Sequence, residues 1–261
     1  MLPQLRVAVP LRVFGLPLRK AIESAARLGA QAIEIDARQD LRPHELSETG
    51  VREIRKVLDD LQLKVAALRF ETRRGYDMLQ DLDARVEATK QAMKMAYRLG
   101  TPHVFNTVGN LTSSDETAND LLVQVLTDLV HFGNQTGAWL TARTGYESGE
   151  ELMELIKHLP EGGLPVAFDP GSLLINRYSV SEALEKLGPS IQYVILKDGV
   201  QDLSRGRGME VPLGRGSVDF FALLGVLENY NYQGFLGLGK EQYESERELS
   251  NAIQYVKNLW T

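Results

Sequence analysis

One local pattern recurs along this chain and restricts its fold more than any other feature: an amphipathic segment closes on a glycine, and a short apolar run follows. It appears as AARLGAQAIEI around Gly29, AYRLGTPHVFN around Gly100 and LEKLGPSIQYVIL around Gly188, with looser copies in FGNQTGAWL and NYNYQGFLGL. A glycine just past a helix accepts the left-handed conformation that closes the last turn, so each copy predicts a helix stop leading into a strand.

Reading outward from these anchors predicts strands near 5–9, 31–36, 63–69, 102–107, 138–143, 164–169, 191–197 and 234–239. Helical periodicity fills the intervals near 17–28, 47–61, 81–99, 115–135, 148–158, 179–187, 217–229 and 245–259. Strands rich in Val, Ile, Leu and Ala, each followed by a helix, imply parallel pairing through right-handed crossovers. Eight such units in 261 residues fit an α/β chain of the (β/α)8 TIM-barrel class better than an open doubly wound sheet. No GxGxxG fingerprint follows the first strand, which argues against dinucleotide binding. No linker or shift in composition divides the chain, so residues 1–261 are read as a single domain.

A net charge of −6 supplies no general field toward phosphate backbones or anionic lipid, and neither nucleic acid nor membrane is expected as a partner. The start MLPQLRVAVP has no long apolar stretch and no run approaches a spanning length, which predicts a cytoplasmic protein. The absence of cysteine excludes disulfides, thiolate nucleophiles and cysteine-based zinc sites. Self-association into a homo-oligomer is left open, since no exposed apolar stripe marks an interface.

In a barrel of this kind the site lies at the C-terminal ends of the strands. Those ends carry Glu34 and Asp36, Arg69 and Glu71, Asn106 and Thr107, Arg143, Asp169, Lys197 and Asp198, then Lys240 and Glu241. Such a concentration of charge around a narrow mouth favours a pocket over a set of solvated tips. Side chains two apart share a strand face, so Lys197 caps the barrel if Ile195 lines its interior. Arg205, Arg207 and Arg215 sit in the Gly-rich loop SRGRGMEVPLGRGS and read equally as an anion clamp or as an exposed basic loop. The four histidines, His44, His103, His131 and His158, fall outside the strand ends and are read as structural or surface residues.

The segments LTARTGYESGEEL, VAFDPGSLL, YVILKDG, VPLGRGSVDFFALLGVL and YQGFLGLGKE resemble the xylose isomerase-like TIM barrels of the sugar phosphate isomerase and epimerase type. Such enzymes usually hold a divalent ion with a Glu, an Asp, a His and a Glu at the ends of strands five to eight. The positions here that match are Arg143, Asp169, Ile195 and Gly239, and Ser172 stands where a further His is frequent. The resemblance therefore implies that most metal ligands are replaced, leaving no metal cofactor, and that the Arg143 guanidinium would repel a divalent ion and pair with Asp169. An all-oxygen magnesium site from Asp169, Asp198 and Glu241 is the competing arrangement.

The implied function is binding of a small carbohydrate, sugar acid or sugar phosphate. Glu34, Asp169 and Lys197 are the candidates for catalysis of proton transfer next to a carbonyl. Asp36, Arg69, Arg143, Asp198, Arg215, Lys240 and Glu241 are the candidates for substrate contact. The alternative is a catalytically inactive relative acting as a ligand-binding or protein-interaction module. An abasic-site endonuclease would require a histidine-rich metal cluster and a basic surface, and the sequence has neither.

Overall fold

The computed structural model describes residues 6–111, 116–160, 163–204 and 206–259. Eight parallel strands close into a barrel: β1 (Val7–Pro10), β2 (Ala32–Asp36), β3 (Lys64–Arg69), β4 (His103–Asn106), β5 (Trp139–Arg143), β6 (Val166–Phe168), β7 (Ile191–Leu196) and β10 (Phe235–Leu238). They follow chain order around the ring, and β10 pairs with β1 to complete it. In the loop after β7, β8 (Asp198–Val200) and β9 (Met209–Val211) form a separate antiparallel hairpin outside the ring.

Among the described residues, eight helices surround the ring: α1 (Leu18–Arg27), α2 (Glu48–Asp60), α3 (Leu82–Leu99), α4 (Glu116–Thr136), α5 (Gly149–Lys157), α7 (Val180–Leu187), α8 (Phe220–Asn229) and α9 (Glu246–Asn258). A short additional helix, α6 (Pro170–Ile175), follows β6. The predicted (β/α)8 class is therefore the observed one. Serine hydroxyls start several of the helices, including a full capping box at Ser148 and Glu151.

The glycine stops hold at Gly29, Gly100 and Gly137, with φ of 77°, 83° and 82°. Gly188 departs from the expectation. Its φ is −42°, it opens a short 3-10 turn, and a Cβ there would lie 2.1 Å from the Tyr230 ring. Space, not handedness, requires that glycine.

The core has two parts. The larger fills the layer between strands and helices. The smaller lies inside the ring, where Ala8, Ala32, Ala67 and Ala167 leave room for Phe105 and Tyr193, whose rings stack with centroids 5.7 Å apart. Ile195 belongs to this inner group, so Lys197 does stand at the mouth. A Cβ at Gly237 would meet the Tyr193 hydroxyl at 1.9 Å, so the smallest residue on β10 lets that ring rise along the barrel axis.

Candidate functional site

At the C-terminal end of the ring, charged side chains from seven of the eight barrel strands or the turns just after them meet in one network. Arg143, the last residue of β5, donates through Nε and Nη2 to Oδ2 of Asp169 at 3.1 and 2.8 Å, and through Nη1 to Glu71. Asp169 follows β6 and is completely buried. Its Oδ1 accepts from the Ser172 backbone N–H and its Oδ2 from the Ser172 hydroxyl, both at 2.8 Å, which makes it the N-cap of α6. The pairing of Arg143 with Asp169 predicted from the sequence is thus present, and Ser172 is the side chain that anchors the carboxylate.

The same Glu71 carboxylate carries the network on to Arg69 at the end of β3, which donates to Glu71 at 2.6 Å and to Glu241 at 2.9 Å. Arg12, carried on a 3-10 turn (Leu11–Phe14) after β1, donates to Glu34 at 2.8 Å and reaches Glu241 at 3.4 Å. Glu34 also accepts from the Tyr193 hydroxyl at 3.0 Å. Lys197 Nζ lies 3.2 Å from Glu210 on the hairpin and 3.9 Å from both Asp169 and Glu241.

These contacts set the electrostatics. Burial raises the Glu34 carboxyl above its ordinary range, with Arg12, Arg69 and the Tyr193 hydrogen bond pulling it part of the way back. Burial would raise Glu241 too, but Arg12, Arg69 and Lys197 overcome it and hold that carboxyl down at about 2. Glu71 is lowered in the same way, its burial outweighed first by Arg143 and then by Arg69. One carboxylate is thus made more basic while its neighbours are kept ionised.

Of the residues predicted for the site, Glu34, Arg69, Arg143, Asp169, Lys197 and Glu241 come together. Four others do not. Asp36 turns its Oδ1 onto the backbone N–H groups of Arg38 and Gln39, fixing the turn after β2. Asp198 accepts from the N–H groups of Gly199, Gly214, Gly216 and Val218 at 2.8–3.2 Å and folds the loop back over the hairpin. Lys240 pairs with Glu248 on α9. Arg215 is exposed on the loop, as is Arg207, while Arg205 lies outside the described residues.

Sequence reasoning missed Arg12, Tyr193 and Glu210. Arg12 had a signal, since it follows an apolar strand by two residues as the other mouth charges do. Tyr193 reads as one more strand residue, and Glu210 enters only through a hairpin that pairs Gly199 with it.

The cavity between Arg12, Glu34, Arg69, Arg143, Ile195 and Glu241 measures about 10 Å³, space for roughly one water. Among the described residues, no three His, Asp or Glu side chains gather as a metal-holding group. A Cβ at Gly239 would meet Ile195 Cγ2 at 2.6 Å and the Leu196 carbonyl at 3.0 Å, so two of the positions matched to metal ligands pack against each other.

The profile of the xylose isomerase-like TIM barrel matches residues 22–259. The chain belongs to the xylose isomerase-like TIM barrel family. Among solved structures, a xylose isomerase domain protein from Planctomyces limnophilus superposes with a TM-score of 0.85 at 23% identity, covering 99% of this chain and 96% of that one. A xylose isomerase-like TIM barrel protein from Mycobacterium smegmatis in complex with magnesium gives 0.79 at 16% identity, covering 98% and 96%. Among curated relatives, an inosose dehydratase from Clostridium botulinum (strain Eklund 17B / Type B) is 29% identical over 127 residues, 43% of this chain and 41% of that one. The chain therefore spans less than half the length of the curated relative it matches. No helix among the described residues is long and apolar enough to cross a membrane.

Proposed function

We propose that this family member binds a small carbohydrate, sugar acid or sugar phosphate at the barrel mouth and operates without the divalent ion usual in such enzymes. The observation that carries the reading is the Arg143 guanidinium bonded to Asp169 where the resemblance places two metal ligands. The residues do not fit a divalent ion. Of the four matched positions one is a guanidinium, two are apolar or without a side chain, and the remaining carboxylate already accepts from Arg143 and Ser172.

The chemistry these groups support is proton transfer at a carbon next to a carbonyl. Glu34, made more basic by burial, is the proton acceptor, with the Tyr193 hydroxyl and Arg12 fixing its orientation. Lys197 and Arg143 are the cations that would stabilise an enediolate oxygen, and Asp169 positions Arg143. Handing the proton from Glu34 to the neighbouring carbon gives an isomer, whereas an epimer requires Glu34 to keep that proton and a second acid to deliver one to the opposite face. Loss of a β-hydroxide instead gives dehydration, the reaction class in the name of the Clostridium botulinum relative.

A second reading is favoured by the 10 Å³ cavity. The ion network fills the place a sugar would occupy, so the mouth is catalytically silent and the charges hold the ring together. Metal content of the purified protein, with turnover of a panel of ketoses and inososes in chelator and in Mg²⁺, Mn²⁺ or Co²⁺, separates the readings. Turnover indifferent to chelator and abolished by Lys197→Ala supports the metal-independent enzyme. Stoichiometric bound metal overturns it, and no turnover under any condition favours the silent barrel.

A further inference from the structure

Beside the mouth, a cleft of about 740 Å³ opens between the β2–α2 and β3–α3 loops. Arg38, Arg42, His44, Arg73, Arg74 and Arg85 line it, and Asp81 is the one carboxylate among its described lining residues. Glu45 lies 3.5 Å from Arg42 and 3.8 Å from His44 at the cleft's edge, yet the arginines still outnumber the carboxylates in a chain of net charge −6. Its floor is apolar, formed by Ala37, Phe70, Ala84 and Ala88.

Arg85 gives the cleft its direction. This residue is only 9% exposed, yet no carboxylate among the described residues pairs with it. Its Nη1 donates to the Gln80 carbonyl at 2.9 Å and its Nη2 to the Met78 carbonyl, while Nε is buried without a partner. Carbonyl dipoles hold the group in place but leave its charge uncompensated, and a buried charge without a counter-ion is costly. Asp81 does not supply the counter-charge, because its side chain makes no cap bond and points outward, 4.0 Å from Arg74.

We infer that this cleft is a binding site for a small organic phosphate, with the phosphate among the arginines and an apolar or ring portion on Phe70, Ala84 and Ala88. Several guanidinium groups match a phosphate's acceptors through paired N–H donors. The volume lies within the range of small-molecule pockets and far exceeds that of a bare anion. The cleft and the mouth share the stretch 70–72: Phe70 lines the cleft, Arg38 donates to the Glu71 carbonyl at 2.7 Å, and the Glu71 side chain is held by Arg69 and Arg143. The site stands whether or not the mouth turns over a sugar.

Isothermal titration of the full chain with phenyl phosphate tests it, with phenol and inorganic phosphate as separate probes. Saturable one-to-one binding of phenyl phosphate is expected, with inorganic phosphate at least tenfold weaker and phenol weaker still. The exposed pair Arg42→Glu with Arg73→Glu should weaken phenyl phosphate by tenfold or more, while Arg215→Glu, outside the cleft, leaves it unchanged. Arg85→Gln should weaken it as well, provided its melting curve shows a folded protein; the exposed pair decides the matter otherwise. Absence of saturable binding overturns the inference. So does equal binding by the Arg42/Arg73 variant, or affinity for phenol or inorganic phosphate as high as for phenyl phosphate.

Discussion

With both Nε and Nη2 of Arg143 resting on one oxygen of a fully buried Asp169, neither residue can be altered without stranding the other. Arg143→Met should cost about 3–5 kcal/mol in chemical denaturation, the usual penalty for removing one partner of a buried pair. Asp169→Asn added to it should cost less than the sum of the single changes, a coupling of about 1–3 kcal/mol. Glu147 offers a contrasting case in the β5–α5 loop. Burial pushes its carboxyl up to about 7 against the pull of the Gly145 and Tyr146 N–H groups, and its Oε1 has no partner among the described residues. Its folded value lies above the ordinary 4.5, so the fold disfavours the ionised form and stability is lost as pH rises from about 4.5 through 7. Glu147→Gln should therefore gain a few degrees in Tm relative to the parent at pH 8 compared with pH 5, followed by thermal melts at both. At this scale the sequence showed the charged strand ends, because period-two alternation places Glu34, Arg69, Arg143 and Lys197 at the tips. It could not show that Asp198 serves backbone N–H groups sixteen to twenty residues away, since only the loop's folded path brings them there.

Among the elements, the helix and strand alternation was legible because left-handed glycines close the turns before β2, β4 and β5, and the strands are short, mostly apolar segments. The hairpin β8–β9 and helix α6 were not read. Three-residue strands interrupted by an exposed Met209 carry no usable alternation, and α6 is only six residues long, although Asp169 as cap and Pro170 after it were visible. Helix α6 packs so closely on the turn after β7 that a Cβ at Gly171 would sit 2.5 Å from both Lys197 Cγ and the Lys197 carbonyl oxygen. Backbone cannot yield there as a side chain can. Gly171→Ala should therefore destabilise by about 2 kcal/mol or more and displace Lys197, read by urea denaturation and by loss of whatever ligand the mouth binds. Asp198→Ala would free four N–H groups and should loosen the loop between β9 and α8, measured as faster amide hydrogen exchange at Gly214, Gly216 and Val218 with the barrel strands still protected.

For the molecule as a whole, the mouth network works as a belt. It draws on the ends of β1, β2, β3, β5, β6, β7 and β10 as well as the hairpin, so protonating it loosens many strands at once. Glu241 is held at about 2, below the unfolded 4.5, so its contribution is present above about pH 4.5 and is lost as pH falls toward 2. Thermal melts from pH 5 to 2.5 should show a steep fall in Tm, and Glu241→Gln should flatten that slope. The belt also carries a constraint in time. Arg12 and Glu241 are 229 residues apart, Arg69 and Glu241 172, and Tyr193 and Glu34 159. A chain growing from its N-terminus places Arg12, Arg69 and Arg143 at the mouth long before Glu241 is made. Until β10 docks, Arg12 and Arg69 hold only their earlier partners, Glu34 and Glu71, and lack the Glu241 carboxylate that joins them, and loop closure over such distances is slow. The residue that locks the mouth is thus also the one that reports the barrel complete.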